Sequence, residues 1–383
     1  MIRMRSLFSE LARRVCPSRA PAVPVRLPFA VPPPIWSYAH HAIVSGIGSP
    51  LEETPAFFAN HYINLRCPRR LEAGSHGGDT LLNFEPTITV ERLGRAGFVD
   101  WKAGDAGASA AASETVAEAL RAGFHVVAIA DKRFVPGTPA YGKFANPHWV
   151  VLFEHRPGEK IFGGAAYVAG GAFGAVRLSD RLLRRALASE SAARFAQSAR
   201  IPRLQLVGRG GWGGKALDLR IMARQFADFL DGRDTSNSYL DRRLCNPDPP
   251  RSVVYGQAVY EPIRHHFRRW AETGSPLDLR ATRVLLEHKE LMRTRVGLMR
   301  AQGHLREAET PTRLAREGRA AAAELHLRSV SATSYRQAGA LTDADAGRLI
   351  GTMQDTDRRL IPLLLRDTGR LPSEETILKT TTP

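Results

Sequence analysis

Two stretches decide the fold: residues 124–131, FHVVAIAD, and residues 148–154, HWVVLFE. Each is a continuous apolar run, which is typical of a strand buried on both faces of a sheet. A loop with Pro136, Gly137 and Pro139 separates the two runs, and the turn Pro157-Gly158 follows the second one. Residues 160–168 then fit the return strand of a hairpin. The pattern predicts a sheet of neighbouring strands in this part of the chain.

Helical patterns surround these strands and replace them after about residue 215. Residues 36–44 favour a helix that Gly46 and Gly48 end, and residues 115–123 favour a second helix. Ser179 is expected to cap a helix that begins at Asp180. Beyond residue 215 the amphipathic segments are 216–231, 253–273, 279–303, 308–329 and 342–366, the last with Thr342 at its N-cap.

This division predicts an α+β fold in which an N-terminal domain with an antiparallel sheet precedes an all-helical C-terminal region. The glycine-rich residues 207–215, VGRGGWGGK, lie at the boundary. They lack the Ser or Thr and the following strand that phosphate-binding loops need, so an interdomain hinge is expected. We expect four parts: a flexible, basic, proline-rich lead-in (1–34), the sheet domain (35–210), the helical domain (211–370) and a flexible tail (371–383).

The composition fits a soluble globular protein of 383 residues, because 43% of the residues are hydrophobic and 24% are charged. No run of about 18 apolar residues is present, so neither a transmembrane helix nor a membrane partner is expected. The three cysteines, Cys16, Cys67 and Cys245, are far apart and include no CxxC pair. This spacing excludes a disulfide framework and favours a reducing, cytoplasmic location.

The formal net charge of +16 indicates an anionic partner. An acidic protein would be steered to the chain by long-range attraction. Nucleic acid is the other class, since Arg264–Arg269 has the composition of a basic patch. However, Ile263, Phe267 and Trp270 recur there at helical spacing, so the arginines are expected on the solvated face of a helix. No zinc finger, RNP signature or basic zipper is present, and nucleic-acid binding is the less favoured alternative.

The histidines give no indication of a metal site. No HExxH motif is present, and the histidines show no spacing typical of a metal triad. The adjacent His40 and His41 would point about 100° apart on a helix and cannot chelate one ion together. We therefore expect no metal and no bound cofactor.

His148 is the strongest candidate for a catalytic residue. It opens the second buried strand, after a loop that contains Asn146. A histidine at a strand mouth, with a helix that starts more than 100 residues upstream, is the layout of papain-like folds. In that layout a nucleophile at the start of the helix uses free N–H groups and the helix dipole to stabilise a thiolate and an oxyanion. The histidine on the sheet then acts as a general base or ion-pair partner.

Several short motifs, spread over roughly residues 30–370, resemble the butirosin biosynthesis protein H-like family. Those of the sheet domain are Asn60–Leu65, Gly123–Asp131, Tyr141, His148–Glu154 and Phe173–Ala186. Those of the helical region are Tyr255–Ala258 and Glu287–Met292 with Arg295. The resemblance implies a papain-like fold, in a protein encoded beside nonribosomal peptide and polyketide assembly lines.

The activity that the resemblance implies is acyl transfer, cyclisation or release. The substrate would be an acyl group on the phosphopantetheine thioester of an acyl or peptidyl carrier protein, with a small-molecule acyl acceptor and no cofactor. Carrier proteins are usually acidic, which agrees with the net charge of +16. His148 would be the general acid and base, and the expected substrate-binding residues are Trp36, Tyr38, His40, Tyr141 and Trp149.

The chain lacks the nucleophilic cysteine of that family, which should lie near residues 35–37, IWS. Ser37 would then be the nucleophile, although a serine needs a true general base. Asp131 and Asn146 are the candidates for orienting His148, because residues 161–166, IFGGAA, hold no polar side chain. Cys67, just before Pro68, is interpreted as a buried bystander thiol.

Three hypotheses follow from these observations. The first is an enzyme in which His148 acts with Ser37 as nucleophile, or without any covalent step. The second is a catalytically dead papain-like protein that binds a carrier protein as a scaffold, and the third is a basic nucleic-acid-binding protein. The run Glu287–Glu290 is expected on a solvated or ion-paired face, because consecutive residues radiate around a helix. The C-terminal helices would wall the substrate channel or mediate a homodimer.

Overall fold

The computed structural model describes residues 23–69, 82–104, 112–208, 210–212, 214, 216–236, 244, 252–335 and 339–368. Its strands, in chain order, are β1 (Val25–Arg26), β2 (Asn64–Pro68), β3 (Asn83–Glu85), β4 (Trp101–Gly104), β5 (His125–Asp131), β6 (Pro147–Arg156), β7 (Ile161–Tyr167), β8 (Phe173–Ser179), β9 (Leu204–Val207) and β10 (Val253–Tyr255).

Its α-helices are α1 (Ala39–Gly48), α2 (Thr54–His61), α3 (Val90–Arg95), α4 (Ala112–Arg121), α5 (Asp180–Ala188), α6 (Glu190–Ser198), α7 (Leu219–Asp231), α8 (Tyr260–Thr273), α9 (Leu279–Ala301), α10 (Glu309–Ser334) and α11 (Asp343–Asp367). Two predicted caps are confirmed: the hydroxyl of Ser179 accepts from Leu182 N, and that of Thr342 accepts from Asp345 N. The helix predicted from Asp180 is interrupted, because Ser189 has an extended backbone between α5 and α6.

The main sheet has seven antiparallel strands in the order β4-β9-β5-β6-β7-β8, with β1 paired to the end of β6. The two apolar runs form its neighbours β5 and β6, and Ala130 lies opposite His148. A mixed fold with an antiparallel sheet, followed by C-terminal helices, is therefore confirmed.

The alternation of side chains along β5 and β6 sends them into two different cores. Val127 and Val151 belong to the core that contains α1 and α2. Val126 and Val150 belong to the core beneath α4 and α5. The sheet is covered on both sides, which explains why its central strands are apolar throughout.

The two domains expected on either side of residue 210 share one hydrophobic core. One hydrophobic core runs from Ile43 of α1 to Leu360 of α11. The prediction of an all-helical C-terminal region is also wrong at β10, which pairs with β2 in a second sheet of order β10-β2-β3. The apolar spacing of residues 253–273 predicts a single helix, but Val253–Tyr255 form a strand, and the helix begins only at Tyr260.

The predicted flexible lead-in, residues 1–34, is corrected for its last part. Val25 and Arg26 pair with β6, and Leu27 N donates to Phe153 O at 2.7 Å. The ring of Phe29 stacks on Phe153 at 4.9 Å between centroids. Apolar side chains tie this segment to the sheet, while residues 1–22 and the predicted tail, 371–383, lie outside the described residues.

The predicted glycine-rich hinge is packed where the structure describes it. A Cβ on Gly210 would lie 1.9 Å from Phe98 O, so only glycine fits there. Trp212 is 1% exposed, and its ring meets the Phe57 ring edge to face at 5.3 Å. Gly210 and Trp212 are therefore packed against neighbouring residues and do not form an open hinge.

A buried ion pair joins three C-terminal helices. Lys289 Nζ of α9 lies 2.5 Å from Asp357 Oδ1 of α11, and both side chains are 2% exposed. Tyr260 of α8 donates its hydroxyl to Asp357 Oδ2 at 2.7 Å. Burial lowers the pKa of Lys289, and Asp357 opposes that shift. The pair therefore depends on both of its charges.

Substituting Asp357→Asn should lower the free energy of unfolding by about 3–5 kcal/mol, because it leaves the Lys289 ammonium buried without a counter-charge. Urea denaturation measures this loss. The matched control is Asp355→Asn on the same helix, where a 70% exposed carboxylate lies 3.9 Å from Arg358, and little change is expected. Equal effects of the two substitutions would contradict the argument.

Candidate functional site

The backbone just before α1, where the family pattern has its nucleophile, is bound by a carboxylate from the C-terminal half. Trp36 N and Ser37 N donate to Glu287 Oε1 of α9 at 2.7 and 3.0 Å. Arg283 Nε donates to the same oxygen at 2.9 Å. The N–H groups expected to be free for an oxyanion are therefore occupied.

Glu287 is buried, with its side chain 1% exposed. Burial raises the pKa of its carboxyl, and the Arg283 guanidinium opposes that shift. The Ser37 hydroxyl lies close enough to contribute to lowering this pKa, but its Oγ makes no hydrogen bond of regular geometry. Glu287 Oε2 is likewise buried without a partner. The hydroxyl of Ser37 thus lies beside a buried carboxylate instead of the expected histidine.

The expected Ser37–His148 pair is not formed. The ring of His148 meets the ring of Tyr167 edge to face, with centroids 5.7 Å apart, and Tyr167 Oη donates to Trp36 O at 2.7 Å. Tyr167 therefore links the two places that the prediction joined directly.

His148 lies beside Lys132, a residue that no sequence motif indicates as part of a site. Burial, followed by the charge of Lys132, lowers the pKa of His148 to about 4, and its Nδ1 is buried without a partner. The Lys132 side chain is 5% exposed, and burial lowers its pKa to about 8. Its Nζ lies 5.5 Å from the centre of the Tyr167 ring. Within the described residues, no acidic side chain pairs with this ammonium. At neutral pH the cluster therefore holds a neutral imidazole next to a cation.

Asp131 does not orient His148, and that prediction is wrong. Its Oδ1 accepts from the backbone N–H groups of Arg133 and Asn146, both at 3.0 Å. Its Oδ2 accepts from the hydroxyls of Ser189 and Ser191 at 2.9 and 2.8 Å. Burial alone would raise the pKa of Asp131, but these four bonds hold it below its usual value. Asp131 instead fixes the loop after β5 to the start of α6, and Asn146 takes part through its backbone.

The residues expected to bind substrate separate into different environments. His40 and Trp149 line one cavity of about 70 Å³, in which His40 Nε2 is buried without a partner. Trp36 is half-buried beneath the Arg283 guanidinium, 3.9 Å from the centre of its ring. Tyr38 is buried and donates its hydroxyl to Leu82 O at 2.8 Å, so it is not available to a substrate. Tyr141 is 43% exposed on the loop before β6.

The expectation of a solvated face for Glu287–Glu290 is wrong for three of the four residues, whereas the alternative of an interhelical ion pair is met by Lys289 with Asp357. Glu287, His288 and Lys289 are all buried, and His288 Nε2 contacts Ile63 O at 2.9 Å. The side chains of consecutive residues do point in different directions around the helix, as predicted. Because other elements pack around α9 here, Glu287, His288 and Lys289 are nevertheless all buried. A polar run at the centre of a 23-residue helix was the available signal.

Cys67 is buried in β2, and burial raises the pKa of its thiol, as suits a bystander residue. Among the residues that the structure describes, no three His, Cys, Asp or Glu side chains are grouped to hold a metal ion. In the same part of the chain, none of the helices combines the length and apolar character needed to cross a bilayer.

Substituting Glu287→Gln should change how stability depends on pH. The folded chain raises the pKa of Glu287, so the wild type favours folding most below the ordinary value of 4.5 and loses that advantage as the pH rises through the raised pKa. Relative to Glu287→Gln, the free energy of unfolding of the wild type should therefore fall as the pH increases from 4.5 to 8. Urea denaturation at a series of pH values measures this difference.

Glu290→Gln is the matched control, with the opposite sign. Burial raises the pKa of Glu290, but Arg293 and Arg319 outweigh it and the net shift is downward. The wild type should therefore lose stability relative to Glu290→Gln as the pH falls below 4.5. The same pH dependence in both variants would show that Glu287 is not held as described.

In comparison with known proteins, no protein-family model matches the chain, and no curated protein is significantly similar to it in sequence. Its function must therefore follow from the chemistry of the site.

Proposed function

We propose that this chain binds an acidic acyl or peptidyl carrier protein and forms no covalent acyl-enzyme, as a non-catalytic partner in secondary-metabolite biosynthesis. The observation that carries the proposal is the position of Glu287, whose carboxylate accepts from both Trp36 N and Ser37 N. In the papain-like layout these N–H groups would stabilise the oxyanion of an acyl-transfer step.

The chemistry of a serine nucleophile argues in the same direction. An oxyanion that formed at Ser37 would lie beside the buried Glu287 carboxylate, where two negative charges repel each other strongly. A serine hydroxyl also needs a general base within hydrogen-bond reach, and the expected base, His148, makes no hydrogen bond with Ser37 Oγ. The histidine base and the free N–H groups of the papain-like layout are therefore both missing at this residue.

The charge supports an acidic partner. The net charge of +16 would steer an acidic carrier protein towards the chain and raise the rate of encounter. Nucleic acid would respond to the same charge, but with a steep loss of affinity as salt increases. The predicted basic patch at Arg264–Arg269 lies on α8, where Phe267 is 1% exposed and faces the core. This arrangement favours a solvated helix face over a nucleic-acid interface.

A second candidate function is acyl transfer, cyclisation or release in which no covalent intermediate forms. The cluster of His148, Lys132 and Tyr167 favours it, because a neutral imidazole can act as a base beside an ammonium that stabilises developing negative charge. An amine or water would then attack the carrier-bound thioester directly. His148 would accept the proton of this nucleophile and pass it to the phosphopantetheine sulfur, which would leave as the thiol.

Mixing the protein with an acyl-loaded carrier protein encoded beside it tests the first proposal. We expect binding by calorimetry, no mass increase of the protein, and an acyl group that stays on the carrier, because Ser37 has no histidine base and Glu287 occupies the N–H groups of an oxyanion site. Ser37→Ala should behave like the wild type. An acyl adduct on the wild type that disappears in Ser37→Ala would overturn the proposal. Tight binding of duplex DNA at physiological salt would show that the partner is nucleic acid and not a carrier protein.

The second candidate predicts a pH profile. If the carrier is unloaded without an adduct, the rate should rise as the pH passes about 4, where His148 loses its proton, and fall as it passes about 8, where Lys132 loses its own. His148→Ala should abolish unloading while carrier binding persists. Lys132→Arg should extend the activity to higher pH, because an arginine stays charged. Unchanged unloading in His148→Ala would exclude this mechanism.

A further inference from the structure

A groove of about 830 Å³ opens beside the start of β6, on the side of the sheet where α5 meets α6. Three arginines and two aromatic rings contribute to its lining, and Glu190 is the one acid among its lining residues. Pro147, the residue before His148, also lines it. The groove therefore combines positive charge with apolar surface next to the His148 cluster, and its main residues are Arg133, Phe134, Pro147, Arg185, Arg194 and Phe195.

Phe134 holds two guanidinium groups in place. The guanidinium of Arg133 lies 4.7 Å from the centre of the Phe134 ring, and that of Arg185 lies 4.5 Å from it. Stacking on an aromatic face offsets the repulsion between two like charges and limits the freedom of both side chains. The pair is thus preorganised to receive an anionic group such as a phosphate.

The acids nearby neutralise the charge of these arginines only in part. Arg185 makes no ion pair or hydrogen bond within the described part of the chain. Asp131 lies 3.3 Å from Arg133, but its oxygens already accept four other hydrogen bonds, and Arg133 Nε is buried without a partner. Arg194 pairs with Glu190, yet both side chains are 76% exposed, and such pairs are weak.

We propose that this groove binds a phosphate ester, with Arg133 and Arg185 on the phosphate and Phe134, Phe195 and Pro147 against its organic part. Guanidinium groups match the geometry of phosphate oxygens, and charge-assisted hydrogen bonds to phosphate are strong. Two sources share this chemistry: a free phosphate ester, and the phosphopantetheine arm of a carrier protein. The second source rests on the proposed function, and it would lead the arm past Pro147 towards His148.

Titration calorimetry with four probes tests the inference: inorganic phosphate, free phosphopantetheine, the carrier protein without its arm and the carrier protein with it. The variant is Arg185→Met, which removes one exposed guanidinium and keeps a good helix former. The control is Arg177→Met, an exposed arginine on β8 that does not line the groove. Arg185→Met should weaken the binding of phosphopantetheine about tenfold, the loss expected for a charge-assisted hydrogen bond.

The outcomes separate the two sources and the two proposals. Tighter binding of the carrier with its arm, lost in Arg185→Met and kept in Arg177→Met, supports the arm as the ligand. Free phosphopantetheine bound in the same way, with equal affinity for both carrier forms, supports a free phosphate ester. Failure of phosphopantetheine to bind, or equal effects of the two substitutions on its affinity, overturns the inference. Carrier binding in that case leaves the proposed function intact.

Discussion

The carboxylate of Glu287 lies in the middle of α9, and its partners are backbone N–H groups that precede the first helix of the sheet domain. Moving a carboxylate out of water is costly unless several donors compensate for the lost hydration. Arg295, farther along α9, donates to the carbonyls of Ala59 and Tyr62 at the end of α2. The same helix thus satisfies backbone groups at the start of α1 and at the end of α2, and both the closed site and the continuous core depend on it.

Much of the fold could be predicted because its main signals are local. The apolar runs of β5 and β6 are long and bounded by turn residues, and the Ser179 and Thr342 caps are set by side chains three residues from their partners. The strand β10 has no comparable signal, since Val253–Tyr255 is short and its partner β2 is distant in sequence. Pairing between distant segments, as in β1 with β6, decides which short stretches become strands.

The candidate site was harder to predict because it depends on which face a side chain takes and on contacts across the whole chain. The sequence located His148 at a strand mouth, but the ring of Tyr167 contacts it there, while the neighbouring Trp149 packs against the core that contains α1. Asp131 was selected for its position, yet four nearby donors occupy its oxygens. Glu287 lies 251 residues from Trp36, so no local pattern could join them.

The occupied N–H groups also constrain how such a site changes during evolution. A cysteine introduced at position 37 would place its thiol beside the buried Glu287 carboxylate, and that anion would raise the thiol pKa and disfavour the reactive thiolate. Loss of the Glu287 charge alone would free the N–H groups but supply no nucleophile. Neither change is useful without the other, so covalent chemistry and the present arrangement are separated by a step in which two distant positions must change together.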